Sequence, residues 1–216
     1  MKENVLNKLL DFLFPNTDSE ILVESVTLSE LFLSSSKITE TPDGIRTFLQ
    51  YKDKTVQAVI HSLKYKGGKK AAALLADLVL NGLIEDLSEK MEWQGSEKAI
   101  LIPVPMSKKR RAERGFNQTE LLAEALMERG GKDFFDYFPS VLEKDAKTPP
   151  QTSIKTRTER LKNMTGAFSL RDPEKVKGRS VVLIDDVTTT GATLIEARKV
   201  LLQGGAKDVM CLSVAH

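Results

Sequence analysis

Residues 181–193, Val-Val-Leu-Ile-Asp-Asp-Val-Thr-Thr-Thr-Gly-Ala-Thr, leave this chain few ways to fold. Four consecutive apolar residues read as a strand buried on both faces, and such strands belong to parallel sheets covered by helices. Two acids end the strand. A Thr/Gly turn then opens a helix over 192–203, which Gly204-Gly205 stops. Backbone N–H groups at a helix start lack intrahelical acceptors and carry the positive end of the helix dipole, so this turn reads as a phosphate cradle. Gly191 allows close approach of the backbone, while the hydroxyls of Thr189, Thr190 and Thr193 add donors. Adjacent carboxylates would repel a phosphate that they touched. They make sense as acceptors for nearby sugar hydroxyls, with Mg2+ close by to balance charge. Strand, acid pair and cradle together fit a ribose 5-phosphate. Two other phosphate motifs are missing: there is no G-x-x-x-x-G-K-[ST], and no G-x-G-x-x-G follows a strand.

The same alternation extends back along the chain. Ala99-Ile100-Leu101-Ile102 predicts a strand, residues 118–129 a helix, Val141-Leu142 a weak strand, and Val209 to Val214 a closing strand. Asn117 with Glu120 forms a capping-box-like start for the 118–129 helix. Upstream, Val56, Val59, Ile60 and Leu63 predict a helix over 53–64, Gly67-Gly68 interrupts it, and a second helix runs from about 69 to 90. Residues 5–14 read as a short amphipathic helix ended by Pro15. Residues 20–51 alternate and are β-rich, with turn signals at Ser34-Ser35-Ser36 and Pro42-Asp43-Gly44, which predicts two or three strands in an outlying subdomain. The expected division is therefore 1–50, a helix plus a β-rich piece, and 51–216, an α/β domain. The polar, basic segment 144–166, with Pro149-Pro150, reads as a long mobile loop of the kind that usually serves function.

At 216 residues, 41% hydrophobic and 29% charged, the chain has material for one sizeable core, which excludes disorder and mini-protein scaffolds. Its one cysteine, Cys211, excludes an internal disulfide and a cysteine-based zinc site; lying in an apolar strand, it should be an inert core thiol. No secretory signal or membrane-spanning run is read, so a soluble intracellular protein is expected. Residues 1–50 hold eight acids and four bases, a net −4, which leaves +6 on the remainder. A basic body favours an anionic ligand, either a phosphorylated metabolite or nucleic acid. His61 has no ligand partner at helical spacing and reads as a helix-face residue.

The 181–193 run resembles the signature by which type I phosphoribosyltransferases bind phosphoribosyl pyrophosphate (PRPP). A narrower likeness joins it. Leu63-Lys64-Tyr65-Lys66-Gly67, Pro103-Val104-Pro105, Arg114-Gly115-Phe116-Asn117-Gln118, Gln151, Arg160-Leu161-Lys162-Asn163 and Gly166-Ala167-Phe168 occur in the order seen in ComF/GntX-type proteins. These are bacterial phosphoribosyltransferase-like proteins linked to competence and DNA uptake. The resemblance covers roughly residues 45–216. Leu9 to Pro15 is similar to the family's start, but Asn16-Thr17-Asp18-Ser19 stands where a cysteine-rich zinc module usually follows.

The resemblance implies a type I phosphoribosyltransferase fold, a mostly parallel sheet flanked by helices with a small N-terminal hood. It implies PRPP or a related phosphorylated ribose as ligand, with Mg2+ held through that ligand near Asp185 and Asp186, and no zinc. Asp185 and Asp186 would take the 2′- and 3′-hydroxyls. Val187, Thr188, Thr189, Thr190, Gly191, Ala192 and Thr193 would take the 5′-phosphate. Residues 103–107, including Pro105, Met106 and Ser107, would form the pyrophosphate loop, with Arg114 as a contact. Gln151, Arg157, Arg160 and Asn163 lie on the segment resembling a flexible lid, where Arg160 would clamp pyrophosphate, and Lys64 and Tyr65 would belong to a hood over the sugar. An alternative is a binding protein that uses PRPP or a nucleotide as a regulatory ligand. Lys108, Lys109, Arg110 and Arg111 would then contact single-stranded or branched DNA, a competence helicase would be a partner, and an RNA-binding regulator is a third reading. Aromatics at 6% argue against a base-stacking platform, so such binding would be mainly to phosphates. A bacterial, cytoplasmic protein without membrane insertion is expected.

Overall fold

The computed structural model describes residues 23, 25–34, 38–94, 97–144 and 166–216. Its elements are α1 (Leu28–Ser34), β1 (Thr39–Glu40), β2 (Ile45–Leu49), α2 (Lys54–His61), a π-helical turn (Ser62–Lys66), α3 (Lys69–Gln94), β3 (Ala99–Pro103), α4 (Lys108–Arg114), α5 (Gln118–Glu128), β4 (Phe135–Tyr137), β5 (Leu142–Lys144), β6 (Phe168–Leu170), β7 (Ser180–Val187), α6 (Ala192–Gln203) and β8 (Asp208–Ala215). Six strands form one sheet in the order β1-β2-β8-β7-β3-β4. Only the β1–β2 pairing in it is antiparallel. The expected α/β class with a mostly parallel sheet holds.

Strand alternation sorts the core into two layers. On one face Val182, Ile184, Leu212 and Val214 pack under α2, α3 and α5. On the other, Val181, Leu183, Ile100 and Ile102 pack under α6 and the two-stranded β5–β6 sheet. Helix α2 starts where Asp53 accepts hydrogen bonds from the amides of Thr55 (2.7 Å) and Val56 (3.1 Å). Helix α5 starts at Asn117, whose Oδ1 accepts from the Thr119 amide (3.3 Å) and whose Nδ2 donates to Glu120 (3.3 Å).

Several expectations need correction. Leu31 and its neighbours form helix, not strand, because Thr27 and Glu30 cap one another: the Thr27 amide donates to Glu30 Oε2 (2.7 Å), and the Glu30 amide to Thr27 Oγ1 (3.3 Å). The described part of the N-terminal region is thus not a separate β-rich piece. Its strand β2 pairs in parallel with β8, with Ile45 opposite Cys211 and Leu49 opposite Ala215, so the main sheet extends back across residue 50. Residues 142–144 form a strand, but in a two-stranded antiparallel sheet with β6 and outside the main sheet. Phe135–Tyr137 instead supplies the edge strand β4 beside β3. The expected helix over 5–14 and nearly all of the 144–166 loop lie outside the described residues. Among the described residues no helix is long and apolar enough to cross a membrane.

Candidate functional site

Strands β3 and β7 are neighbours, with Pro103 opposite Ile184. The chain leaves β3 through α5 toward β4, and leaves β7 through α6 toward β8, on the opposite side and the opposite face of the sheet. A crevice therefore opens between their carboxyl ends, where open α/β sheets bind ligands. Its two lips are residues 103–107 and 185–191. The Val104 amide donating to the Ile184 carbonyl (2.9 Å) ties them together.

The acid pair sits at this opening. Asp186 shares its strand face with Val182 and Ile184 and is 3% exposed. Its Oδ1 accepts from the Val187 amide (2.8 Å), while Oδ2 is sealed from solvent and lies 3.1 Å from Lys64 Nζ. At that distance the contact is an ion pair, although the angles at Oδ2 fall short of a directed hydrogen bond. Burial alone would lower the pKa of the Lys64 ammonium. Asp186, helped by Tyr51 and Asp185, outweighs it and moves the net shift upward. Asp185, one residue earlier, belongs to the other face, and its Oδ1 accepts from the Asp186 amide (2.9 Å). Burial first, and then the Asp186 charge, hold the Asp185 carboxyl well above the usual carboxylate range. Both acids thus have one oxygen fixed by the following backbone amide and one directed elsewhere.

Beyond them the backbone turns into α6. The Thr188 amide donates to the Ala215 carbonyl (2.9 Å), and Thr188 Oγ1 accepts from the Gly191 amide (3.2 Å), which closes the turn on itself. Gly191 adopts φ +73°, and a Cβ there would lie 2.7 Å from Ile45 Cδ1, so both conformation and space require glycine. The first intrahelical bond runs from the Ile195 amide to the Gly191 carbonyl (2.9 Å). Earlier amides of α6, that of Ala192 among them, have no acceptor within the helix. The β1–β2 turn lies close by: Asp43 Oδ2 would be 3.7 Å from a Cβ at Gly191.

The motifs singled out in the sequence meet here. Thr119 Oγ1 (2.6 Å) and Asn117 Nδ2 (3.4 Å) both donate to the Val104 carbonyl, so the start of α5 holds the 103–107 lip in place. Arg114 donates to Gln118 (3.1 Å), and its guanidinium lies 4.8 Å from the centre of the Tyr65 ring, which in turn lies 4.7 Å from His61. A Cβ at Gly67 would lie 3.4 Å from Phe116. The Lys64–Gly67 and Arg114–Gln118 elements are thus two halves of one wall. His61 is a buried member of it, in keeping with a helix-face role.

Lys108–Arg111 opens α4, a helix absent from the sequence expectation, which Ser107 begins and which buries none of its residues. All four bases are exposed, and Arg111 pairs with Glu120 (2.6 Å). Pro105, Met106 and Ser107 are half-buried on the lip. Gln151, Arg157, Arg160 and Asn163 lie outside the described residues. Lys144 was missed. It ends β5, with its Nζ 5.2 Å from the centre of the Phe168 ring. Burial lowers its pKa, Asp185 opposes that and Arg110 adds to it, so Lys144 stands on the Asp185 side of the crevice as Lys64 stands on the Asp186 side. A lone lysine gives no spacing signal that would have found it. Cys211 is buried, its thiol pushed up to about 11. Among the described residues no three His, Cys, Asp or Glu side chains gather to hold a metal ion.

The family model for the phosphoribosyl transferase domain matches residues 136–216, a span that contains β7, the acid pair, the cradle and β8. The DNA utilization protein YhgH of Escherichia coli O157:H7 is 33% identical over 151 residues, covering 70% of this chain and 63% of that protein. Competence protein ComFC of Bacillus subtilis (strain 168) is 36% identical over 128 residues, 59% of this chain and 48% of the relative. ComFC of Streptococcus pneumoniae (strain ATCC BAA-255 / R6) is 35% identical over 146 residues, 66% and 57% respectively. The matched segments thus span about half to two thirds of these relatives' lengths. A solved structure of the allosteric regulatory enzyme of purine biosynthesis covers 72% of this chain and 30% of its own, at a TM-score of 0.36 and 16% identity. Together with the domain match, these relatives make the chain similar to the ComF family of phosphoribosyltransferase-like proteins.

Proposed function

We propose that the chain binds PRPP across the β3–β7 crevice and transfers its phosphoribosyl group to an acceptor. The observation that carries this reading is the placement of Asp186, a buried carboxylate, at the same opening as the glycine-started N-terminus of α6. The second carboxylate oxygens of Asp185 and Asp186 would accept from the 2′- and 3′-hydroxyls. The α6 amides and the Thr188–Thr193 side chains would hold the 5′-phosphate, and the 103–107 lip, with Arg114 and Arg160, the pyrophosphate. Transfer of this kind passes through an oxocarbenium-like sugar, so carboxylates beside the ring stabilise the developing positive charge while cations receive the leaving group. Magnesium, carried on the ligand's phosphate oxygens, would supply neutralisation of the pyrophosphate charge. A pyrophosphate-release assay against a panel of nucleobases and amines tests the transfer, and calorimetry of PRPP with Mg2+ tests the site. Equal affinity in the parent and in Asp186→Ala would remove the acid pair from it.

A second reading has its own observation. Lys108, Lys109, Arg110 and Arg111 occupy one exposed turn of a helix that buries nothing, and relatives carry names in competence and DNA utilization. As a nucleic-acid contact this turn would bind phosphates and release counterions. Replacing all four by Ala should flatten the salt dependence of oligonucleotide affinity; an unchanged slope dismisses the reading.

A further inference from the structure

We propose that Lys64 makes the acid pair a reader of the sugar's vicinal diol and keeps divalent metal off the protein's own carboxylates. The inference rests on the reading of the crevice as a site for a phosphorylated ribose and adds the device that selects the sugar. Adjacent aspartates at a strand end are, on charge alone, a good seat for a hard dication. Here Asp185 and Asp186 each commit one oxygen to the next backbone amide, and the remaining oxygen of Asp186 has an ammonium 3.1 Å away. A dication bound to that oxygen would sit almost against Lys64 Nζ, and two cations that close repel strongly in a partly buried site. A neutral hydroxyl meets no such barrier. A carboxylate oxygen accepts from more than one direction, so a sugar hydroxyl and Lys64 can share Oδ2.

Lys64 is also held where it is. It lies in the π-helical turn Ser62–Lys66, a form frequent at functional sites, which the Gly68 amide closes by donating to the Ser62 carbonyl (3.2 Å). Leu63 before it is fully buried, and Tyr65 after it lies between His61 and Arg114. Gly67 ends the turn at φ +58°, and a Cβ at Gly68 would overlap Ser62 Oγ, so this conformation of the segment depends on both glycines. The lysine is therefore a fixed part of the acid pair rather than a surface cation resting on it. In this role it is a positioning residue, acting on the ligand through Asp186.

Two readouts test this. The first is calorimetry in EDTA with ribose 5-phosphate and 2-deoxyribose 5-phosphate, on the parent and on Lys64→Met. The parent should prefer the ribose form at least about tenfold, the worth of a hydrogen bond to a charged group, and Lys64→Met should lose most of that preference. The second is Mn2+ titration followed by electron paramagnetic resonance. Lys64→Met should bind Mn2+ about tenfold or more tightly than the parent, Lys64→Arg should behave as the parent, and adding Asp186→Asn to Lys64→Met should abolish the gain. An undiminished ribose preference in Lys64→Met, or an unchanged Mn2+ affinity, overturns the proposal. Failure of both sugar phosphates to bind the parent, with the Mn2+ gain intact, would refute the ribose reading and leave the exclusion of metal by Lys64 standing. Should Lys64→Met not fold, Lys64→Gln carries the same two measurements.

Discussion

The two ends of the central sheet handle charge in opposite ways. At the amino end, unlike charges and dipoles meet. Arg179 lies 2.8 Å from Glu97 and 2.7 Å from Asp136 while donating to the Lys98 carbonyl (2.7 Å), Ser180 Oγ bonds Asp208 (2.7 Å), and Lys98 donates to the Lys132 carbonyl (2.6 Å). At the carboxyl end, like charges stand together: two acids in succession on β7 and four bases in succession on α4. The first arrangement pairs unlike charges within the protein and binds the strand starts to their loops. The second is poorly satisfied from within, which costs stability and leaves the groups ready for a ligand of the complementary kind. Segregated charge, more than the amount of charge, separates the proposed working end from the supporting one.

If that contrast is right, substitutions at the two ends should separate binding from stability. Asp186→Ala should lower PRPP affinity about ten- to a hundredfold in calorimetry, because the charge-assisted hydrogen bond from a sugar hydroxyl to its free oxygen is lost. Gly191→Ala should cost about 2–3 kcal/mol in urea unfolding, from the positive φ and the collision with Ile45. Arg179→Ala should cost about 2 kcal/mol, the loss of a partly buried hydrogen-bonded ion pair, with PRPP affinity unchanged; a matching loss of affinity would break the contrast. The smallest effect is expected at Asp185. Its folded pKa is raised, so the native state holds its proton more tightly than the unfolded chain. The contribution of Asp185 to stability is then full below the ordinary carboxylate range and is lost as pH rises through the raised value. Asp185→Asn should therefore stabilise by about 1 kcal/mol above neutral pH and not at pH 4.

Most of the working end could be read from residue order alone, because its chemistry is local. Strand β7, its acids, the glycine turn and α6 are contiguous, so hydrophobic run, charge and helix start lie within one stretch. What escaped depended on distance in sequence. The pairing of β2 with β8 joins residues 45–49 to 211–215, and nothing within 20–51 marks that strand as part of the main sheet. Strand β4, Phe-Asp-Tyr, is too short to show a period. Helix α4 buries nothing, so it carries no apolar stripe to betray it. The resemblance puts Lys64 in a hood over the proposed sugar, but its ion pair with Asp186 arises from a widened turn that no side-chain pattern announces.

The position of β8 has a consequence for biosynthesis. It lies between β2 and β7, hydrogen-bonded to both, and is the last strand among the described residues. Strand β2 emerges some 160 residues earlier and must remain without its parallel neighbour until β8 leaves the ribosome. At about 5–20 residues per second that wait is roughly 8–30 seconds. During it one edge of β2 stays without a partner, a natural target for chaperones that guard growing polypeptides.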